Sequence, residues 1–105
     1  MATYVLVHGA IVGGWCWRWV APALRAAGHD VHTPTLTGLG ERVHLASPDI
    51  DLDTHITDVV NLLEYEDLTG AILVGWSYGG MIVAGVADRA AGRIGHLVYL
   101  DSDVP

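Results

Sequence analysis

Apolar residues along this chain follow two patterns. Short uninterrupted runs, which are typical of strands buried on both faces of a sheet, alternate with longer segments of helical spacing. The runs predict strands at residues 4–7, 29–33, 71–74 and 97–100. The helical spacing predicts helices at about 17–27, 53–66 and 81–91. Strands that alternate with helices indicate βαβ units, so the predicted fold class is α/β, with a parallel sheet and flanking helices.

Local signals set the ends of the predicted helices. Pro22 is tolerated only in a first turn, so the first helix should begin near residues 17–19, and Gly28 should stop it. The second helix shows the i, i+3, i+4, i+7 spacing of one apolar face, and either Asp53 or Thr54 could cap it.

The carboxyl ends of parallel strands form the edge at which α/β proteins bind their ligands. Four segments of this chain fall at that edge: residues 8–10, the long loop 34–48, Ser77 and residues 101–103. Because these segments converge from four parts of the sequence, the pattern predicts one functional rim.

Residues 75–79 read Gly-Trp-Ser-Tyr-Gly, which fits Gly-x-Ser-x-Gly between a predicted strand and a predicted helix. A tight turn of this kind holds the Ser77 hydroxyl out from the sheet, where a substrate carbonyl can reach it. Side chains at Gly75 and Gly79 would collide across the turn. The following helix directs backbone N–H groups and partial positive charge to the place where an oxyanion would form. This context favours a nucleophile over an incidental serine in a glycine-rich turn.

Composition narrows the functional classes. The 105 residues carry a formal net charge of −7 and only five cationic side chains, all Arg, so no nucleic-acid partner is expected. No apolar run approaches the ~20 residues of a membrane span, and the N-terminus shows no signal-peptide pattern. The single Cys16 cannot form an internal disulfide, which together with these features predicts a cytoplasmic protein. No spacing of His, Cys or Asp fits a metal site, and no cofactor is expected.

Three motifs occur in a fixed order: His8-Gly9-Ala10 after the first strand, Gly-Gly-Trp at 13–15, and Gly-Trp-Ser-Tyr-Gly-Gly at 75–80. Together they resemble the α/β-hydrolase superfamily, and within it the small esterases grouped with plant methyl esterases and hydroxynitrile lyases, including bacterial relatives. The resemblance runs over the whole chain. It implies that residues 1–105 are the N-terminal portion of a single α/β-hydrolase domain, with about four strands and without the family's cap and last strands.

The resemblance also implies roles for individual residues. Ser77 matches the catalytic nucleophile, and the backbone N–H groups of Ala10 and Tyr78 match the two oxyanion donors. Ile11 and Trp76 are expected to line the substrate pocket, where their apolar side chains suit a small hydrophobic acyl or alkyl group. Trp76 stands where family members commonly carry His, so a changed pocket wall is expected there.

The catalytic histidine and acid that the resemblance implies are not found at the family's usual positions within this sequence. The family's catalytic histidine, and the acid of the close relatives, would come after Pro105. Asp101 or Asp103 could instead serve as the acid, as in some other α/β-hydrolases, although both also suit a role as loop or capping carboxylates. His8 matches a family histidine that is usually structural.

The remaining histidines are expected to lie away from the serine, with one exception. Only His44, in the long loop, could reach the rim. Those expected at the opposite edge, at strand starts or a helix start, are His29, His32, His96 and His55.

The main hypothesis is a serine carboxylesterase that cleaves small hydrophobic esters through an acyl-enzyme on Ser77. One alternative is a hydroxynitrile lyase, although the plant lyases use a threonine hydroxyl at the position of Gly9. Another alternative is a catalytically incomplete ligand-binding or interaction module. The chain alone should be inactive, and a second chain or a C-terminal fragment could complete the domain.

Overall fold

A computed structural model describes residues 1–102, which form a parallel sheet with helices packed on both faces. The sheet contains four strands: β1 (Thr3–Val7), β2 (Asp30–His32), β3 (Ala71–Trp76) and β4 (Ile94–Leu100). The α-helices are α1 (Ala21–Ala26), α2 (Leu52–Tyr65) and α3 (Gly79–Arg89). Short 3₁₀ helices lie at Gly14–Trp17, Gly40–Leu45 and Ala91–Arg93. The predicted α/β class is confirmed.

The strand order is β2-β1-β3-β4, and every neighbouring pair is parallel. Val7 pairs with Gly75, and Gly75 pairs with Tyr99. Since these residues stand near the carboxyl ends of their strands, the segments that follow β1, β3 and β4 meet at one edge. The predicted convergence of these segments is therefore confirmed.

Alternate residues of the strands enter two separate cores. On one side, here called the α2/α3 face, the side chains pack against α2 and α3. Its buried apolar residues are Val5, Val7, Leu36, Ile56, Val59, Leu63, Leu68, Ala71, Leu73, Ile82, Val83 and Val86. The opposite side is the α1 face. Its buried apolar residues are Leu6, Trp17, Ala21 and Val31.

The first helix begins later than predicted. The chain makes a 3₁₀ turn over Gly14–Trp17, and α1 starts only at Ala21, with Pro22 in its first turn. Pro22 is thus the second helical residue, whereas a start at 17 or 18 would place it beyond the first turn, where its missing N–H would interrupt the helical hydrogen bonds. Gly28, predicted to follow the helix, adopts a φ of +92°, as expected for a glycine that ends a helix.

The second helix is capped by Asp51, so the predicted cap at Asp53 or Thr54 is wrong. The Asp51 carboxylate accepts a hydrogen bond from the Thr54 N–H at 3.0 Å, and the Thr54 hydroxyl accepts one from the Asp51 N–H at 3.3 Å. This reciprocal capping box satisfies the N–H groups of the N-cap Asp51 and of Thr54 in the first turn, and the helix starts at Leu52.

Candidate active site

Ser77 lies at the turn between β3 and α3. Its φ is +54°, in the left-handed region that side-chain-bearing residues rarely occupy. The residue is half-buried, so its side chain is neither enclosed in a core nor fully surrounded by solvent. A strained residue at the carboxyl edge of a parallel sheet is a candidate for function.

The two glycines that flank the serine are required by space. A methyl group at Gly75 would lie 2.5 Å from the carbonyl oxygen of Gly79. A methyl group at Gly79 would overlap the carbonyl oxygen of Val7 in the neighbouring strand. The predicted collision across the turn is confirmed at both positions.

The segment after β1 approaches Ser77 closely. Gly9 is buried, and a methyl group added to it would lie 3.4 Å from Ser77 Cβ. Ala10 follows in an exposed turn, and Ile11 is 93% exposed at the rim. The backbone around the Gly9–Ala10 peptide therefore borders the serine, while the Ile11 side chain projects into solvent.

The loop that contains Ala10 is held at its far end by residues of the long loop. Gly14 N–H donates to Thr35 Oγ1 at 2.9 Å, and the Thr35 hydroxyl donates to Glu41 Oε2 at 2.7 Å. The hydrogen bond from Thr35 is the main cause that holds the pKa of Glu41 below its usual value. Glu41 therefore stays ionised and keeps its acceptor role in this arrangement.

His8 has no free ring nitrogen. Its Nδ1 lies 2.6 Å from the Gly9 carbonyl oxygen, which can only accept, so Nδ1 carries the proton. Its Nε2 accepts from the Leu36 N–H at 2.9 Å. The side chain is fully buried, and burial lowers its pKa. These contacts describe a neutral structural histidine, as expected.

His55 was expected at the edge opposite the serine, and this prediction is wrong. Its Nδ1 lies 2.8 Å from the Tyr78 hydroxyl, and its Nε2 lies 2.8 Å from the Thr37 carbonyl oxygen. A helix that follows a parallel strand begins at the carboxyl edge, where that strand ended, so the start of α2 belongs to the functional rim. The order of strands and helices predicted from the sequence was therefore sufficient to place the start of α2, and with it His55, at this edge.

His32 was also expected at the edge opposite the serine, and this prediction is wrong as well. It is the last residue of β2, and therefore stands at the carboxyl end, where its Nε2 contacts the Asp30 carboxylate at 2.9 Å. His44 is exposed in the 3₁₀ turn of the long loop. Within residues 1–102, no histidine forms a hydrogen bond with Ser77.

The two candidate acids follow β4. Asp101 is exposed and adopts a φ of +42° directly after the strand. Asp103 lies outside the described residues. The part of the chain that the structure describes also contains no group of three His, Cys, Asp or Glu side chains arranged for a metal ion. No helix in that part is long and apolar enough to cross a membrane.

Trp76 forms one wall of a cavity of about 200 Å³ on the α1 face. Its ring meets that of Trp17 edge to face, with centroids 6.5 Å apart. The remaining lining residues are Cys16, Val20 and Leu100. Burial raises the pKa of the Cys16 thiol, which keeps the thiol protonated and poorly nucleophilic. The lining of this cavity is thus mostly apolar.

Comparison with known proteins settles the family. Residues 4–105 match the family model described as "Alpha/beta hydrolase family". The chain belongs to the alpha/beta hydrolase family. A strained serine at a strand–helix turn is the feature of this structure that agrees best with that membership.

Within this family, the chain is similar to esterases. It is 59% identical over 105 residues to a carbendazim-hydrolysing esterase of Nocardioides sp., covering all of this chain and 43% of the relative. It is 34% identical over 113 residues to methylesterase 1 of Arabidopsis thaliana, covering 97% of this chain and 40% of the relative. The curated relatives comprise plant methylesterases, a hydroxynitrile lyase and bacterial esterases.

A solved structure gives the same grouping. An extracellular α/β-hydrolase of a Paenibacillus species, described as homologous to tobacco salicylic acid binding protein 2, superimposes with a TM-score of 0.92 at 30% identity. The match covers 100% of this chain and 42% of that protein. The chain therefore spans less than half the length of the relatives it matches, and the fold it shows is incomplete beside theirs.

Proposed function

We propose that the full-length protein containing this chain is a serine carboxylesterase that cleaves small hydrophobic esters. The observation that carries the proposal is the positive φ of Ser77, on a strand–helix turn that borders Gly9. The Ser77 oxygen attacks the ester carbonyl and forms an acyl-enzyme, and the alcohol leaves. Water then cleaves the acyl–serine bond, which releases the acid and restores the hydroxyl.

In this mechanism, the N–H groups of Ala10 and Tyr78 donate to the oxyanion of the tetrahedral intermediate. Two features support the assignment: Gly9 lies beside Ser77, and Tyr78 precedes the first turn of α3. A donor aimed at developing charge lowers the barrier, and removing one typically costs about 2.7–4 kcal/mol.

The substrate class follows from the surroundings of the serine. The cavity beside Trp76 is lined by apolar side chains, which suits a small hydrophobic acyl or alkyl group. The exposed Ile11 is proposed to contact the other side of the same substrate. Since the Nocardioides relative is named for carbendazim hydrolysis, carbendazim is a rational second substrate to assay after p-nitrophenyl acetate.

The catalytic histidine is proposed to come from outside residues 1–105, in a later segment or a second chain. Strand β4 supports this because, within residues 1–102, β3 is the only strand that pairs with it, and the side chains of Val98 and Leu100 are 40% and 47% exposed. An unpaired edge with exposed apolar residues favours association. Residues 1–105 alone should therefore self-associate in sedimentation experiments. A monodisperse monomer would refute this.

The decisive experiment removes the proposed nucleophile. Ser77→Ala in the full-length protein should abolish turnover of p-nitrophenyl acetate and labelling by a fluorophosphonate probe. Ser47→Ala is the matched control, because Ser47 is an exposed loop serine. Full activity in the Ser77 variant would remove the acyl-enzyme from the mechanism.

The same assays separate the alternatives. An unlabelled wild-type protein that still binds an ester would favour a non-catalytic binding module. Release of cyanide from mandelonitrile would favour a lyase, but Gly9 provides no hydroxyl beside Ser77, which speaks against that reaction. A cytoplasmic location also remains a proposal, supported by the unpaired Cys16.

A further inference from the structure

Three consecutive residues of the long loop, Thr35, Leu36 and Thr37, contact both the segment after β1 and the start of α2. Toward the segment after β1, Thr35 Oγ1 accepts from the Gly14 N–H at 2.9 Å. The Leu36 N–H donates to His8 Nε2 at 2.9 Å. These two bonds fix the segment that precedes and follows Ala10.

Toward the serine turn, the contact runs through one buried side chain. The Thr37 carbonyl oxygen can only accept, so the proton of His55 lies on Nε2 and Nδ1 is left as an acceptor. The Tyr78 hydroxyl then donates to Nδ1 at 2.8 Å. His55 is only 6% exposed, so both bonds are shielded from competing water.

Thr37 is itself held firmly by α2. The Asp58 carboxylate accepts from the Thr37 N–H and from the Thr37 hydroxyl, each at 2.7 Å. These are charge-assisted hydrogen bonds, which are stronger than bonds between neutral groups. The carbonyl that receives His55 therefore belongs to a well-anchored residue.

We propose that residues 35–37 are a common anchor for the two oxyanion donors, and that His55 is the positioning residue that ties Tyr78 to it. The inference rests on the proposed esterase function. Ser77 lies in a strained backbone conformation, and the peptide that joins it to Tyr78 carries one of the donors. A hydrogen bond at the end of the Tyr78 side chain limits rotation of this residue, and so limits drift of its N–H group.

The direction of each bond makes the inference testable. In His55→Asn, the side-chain amide occupies the region of Nδ1, so its oxygen can still accept from Tyr78 while the bond to Thr37 is lost. In His55→Gln, the amide reaches the region of Nε2, so the bond to Thr37 is kept and that to Tyr78 is lost. Tyr78→Phe removes only the hydroxyl and is the least disruptive variant.

In the full-length protein, Tyr78→Phe and His55→Gln should each lower kcat for p-nitrophenyl acetate about tenfold, less than the 10²–10³-fold cost of deleting a donor outright. KM should change less than about twofold, because the donor acts mainly in the transition state. Affinity for a boronic acid, which forms a tetrahedral adduct on the serine, should fall in parallel with kcat. His55→Asn should lower kcat and boronate affinity to a similar extent, because Tyr78 is then bonded to a side chain that no longer contacts Thr37.

Two results would overturn the proposal that residues 35–37 hold Tyr78 through His55. One is wild-type kcat in either His55→Asn or His55→Gln, since each variant breaks one of the two bonds that join Tyr78 to Thr37. The other is wild-type kcat in Tyr78→Phe, which remains informative even where the His55 variants do not fold. Ester turnover that is absent from the wild type, or that survives Ser77→Ala, would instead overturn the proposed function and this inference together.

Discussion

The α2/α3 face and the α1 face of the same sheet differ greatly in how well they are covered. Within residues 1–102, twelve buried apolar residues form the core of the α2/α3 face, and four form that of the α1 face. Leu97 packs against the larger core, while Val98, its neighbour on the opposite side, is 40% exposed.

The two faces contribute different features near the candidate site. The groups that hold the serine turn from below, α3 and the His55–Tyr78 pair, belong to the well-packed α2/α3 face. The apolar cavity bounded by Trp76 opens on the thinly covered α1 face. The His55–Tyr78 hydrogen bond and this cavity thus lie on opposite faces of the sheet.

The comparison predicts that the largest loss of stability comes from disturbing the contact between α3 and the sheet. In Gly79→Ala, the new methyl group would overlap the carbonyl oxygen of Val7, and neither backbone can yield without moving the helix. We expect a loss of at least about 3 kcal/mol in the free energy of unfolding, or no folded protein. Urea denaturation followed by circular dichroism measures it.

Gly92→Ala is the control for this experiment. A methyl group at Gly92 meets no atom within 4 Å, and its φ is not in the left-handed region, so the change should stay within about 0.5 kcal/mol. Equal effects at the two glycines would show that α3 does not approach the sheet as described.

The motif around Ser77 could be predicted because its cause is local. The sequence Gly-Trp-Ser-Tyr-Gly predicts the tight turn, and the structure supplies the expected obstruction at Gly75 and Gly79. The parallel order of strands was also predictable, since alternating apolar runs and helical segments leave few other folds.

The contacts that were missed lie between residues far apart in sequence. Tyr78 and His55 are 23 positions apart, and nothing in their local composition indicates a hydrogen bond. The two hydrogen bonds from Thr37 to Asp58 likewise depend on how the long loop folds back on α2. The catalytic acid and histidine stay predictions. The chain covers 43% of the Nocardioides esterase, and the catalytic histidine is expected in a segment that follows residue 105.

A pair of strand valines tests the two faces with the same chemical change. Val7 is fully buried on the α2/α3 face, and Val74 is half-buried on the α1 face. Val7→Ala should destabilise by about 2–3 kcal/mol, through lost burial and an unfilled cavity. Val74→Ala should cost about 1 kcal/mol or less. Thermal and urea unfolding measure the loss in both variants. A larger loss in Val74→Ala than in Val7→Ala would contradict the stated difference in packing between the two faces.

The smallest expected effect is a dependence of stability on pH through His8, whose Nε2 accepts from Leu36 of the α2/α3 core. Burial lowers its pKa from the usual 6.5, so below about pH 6.5 the unfolded chain binds a proton that the folded chain does not. The free energy of unfolding should therefore fall as the pH drops from 6.5 toward the lowered pKa.

His8→Asn removes the titrating ring and leaves an amide where Nδ1 donates to Gly9. This variant should be less stable near neutral pH, since Leu36 loses its acceptor, yet its stability should depend less on pH below 6.5. His44→Gln, which removes an exposed histidine, should keep the wild-type slope. If His8→Asn kept the full acid slope, the titrating group would have to be sought elsewhere.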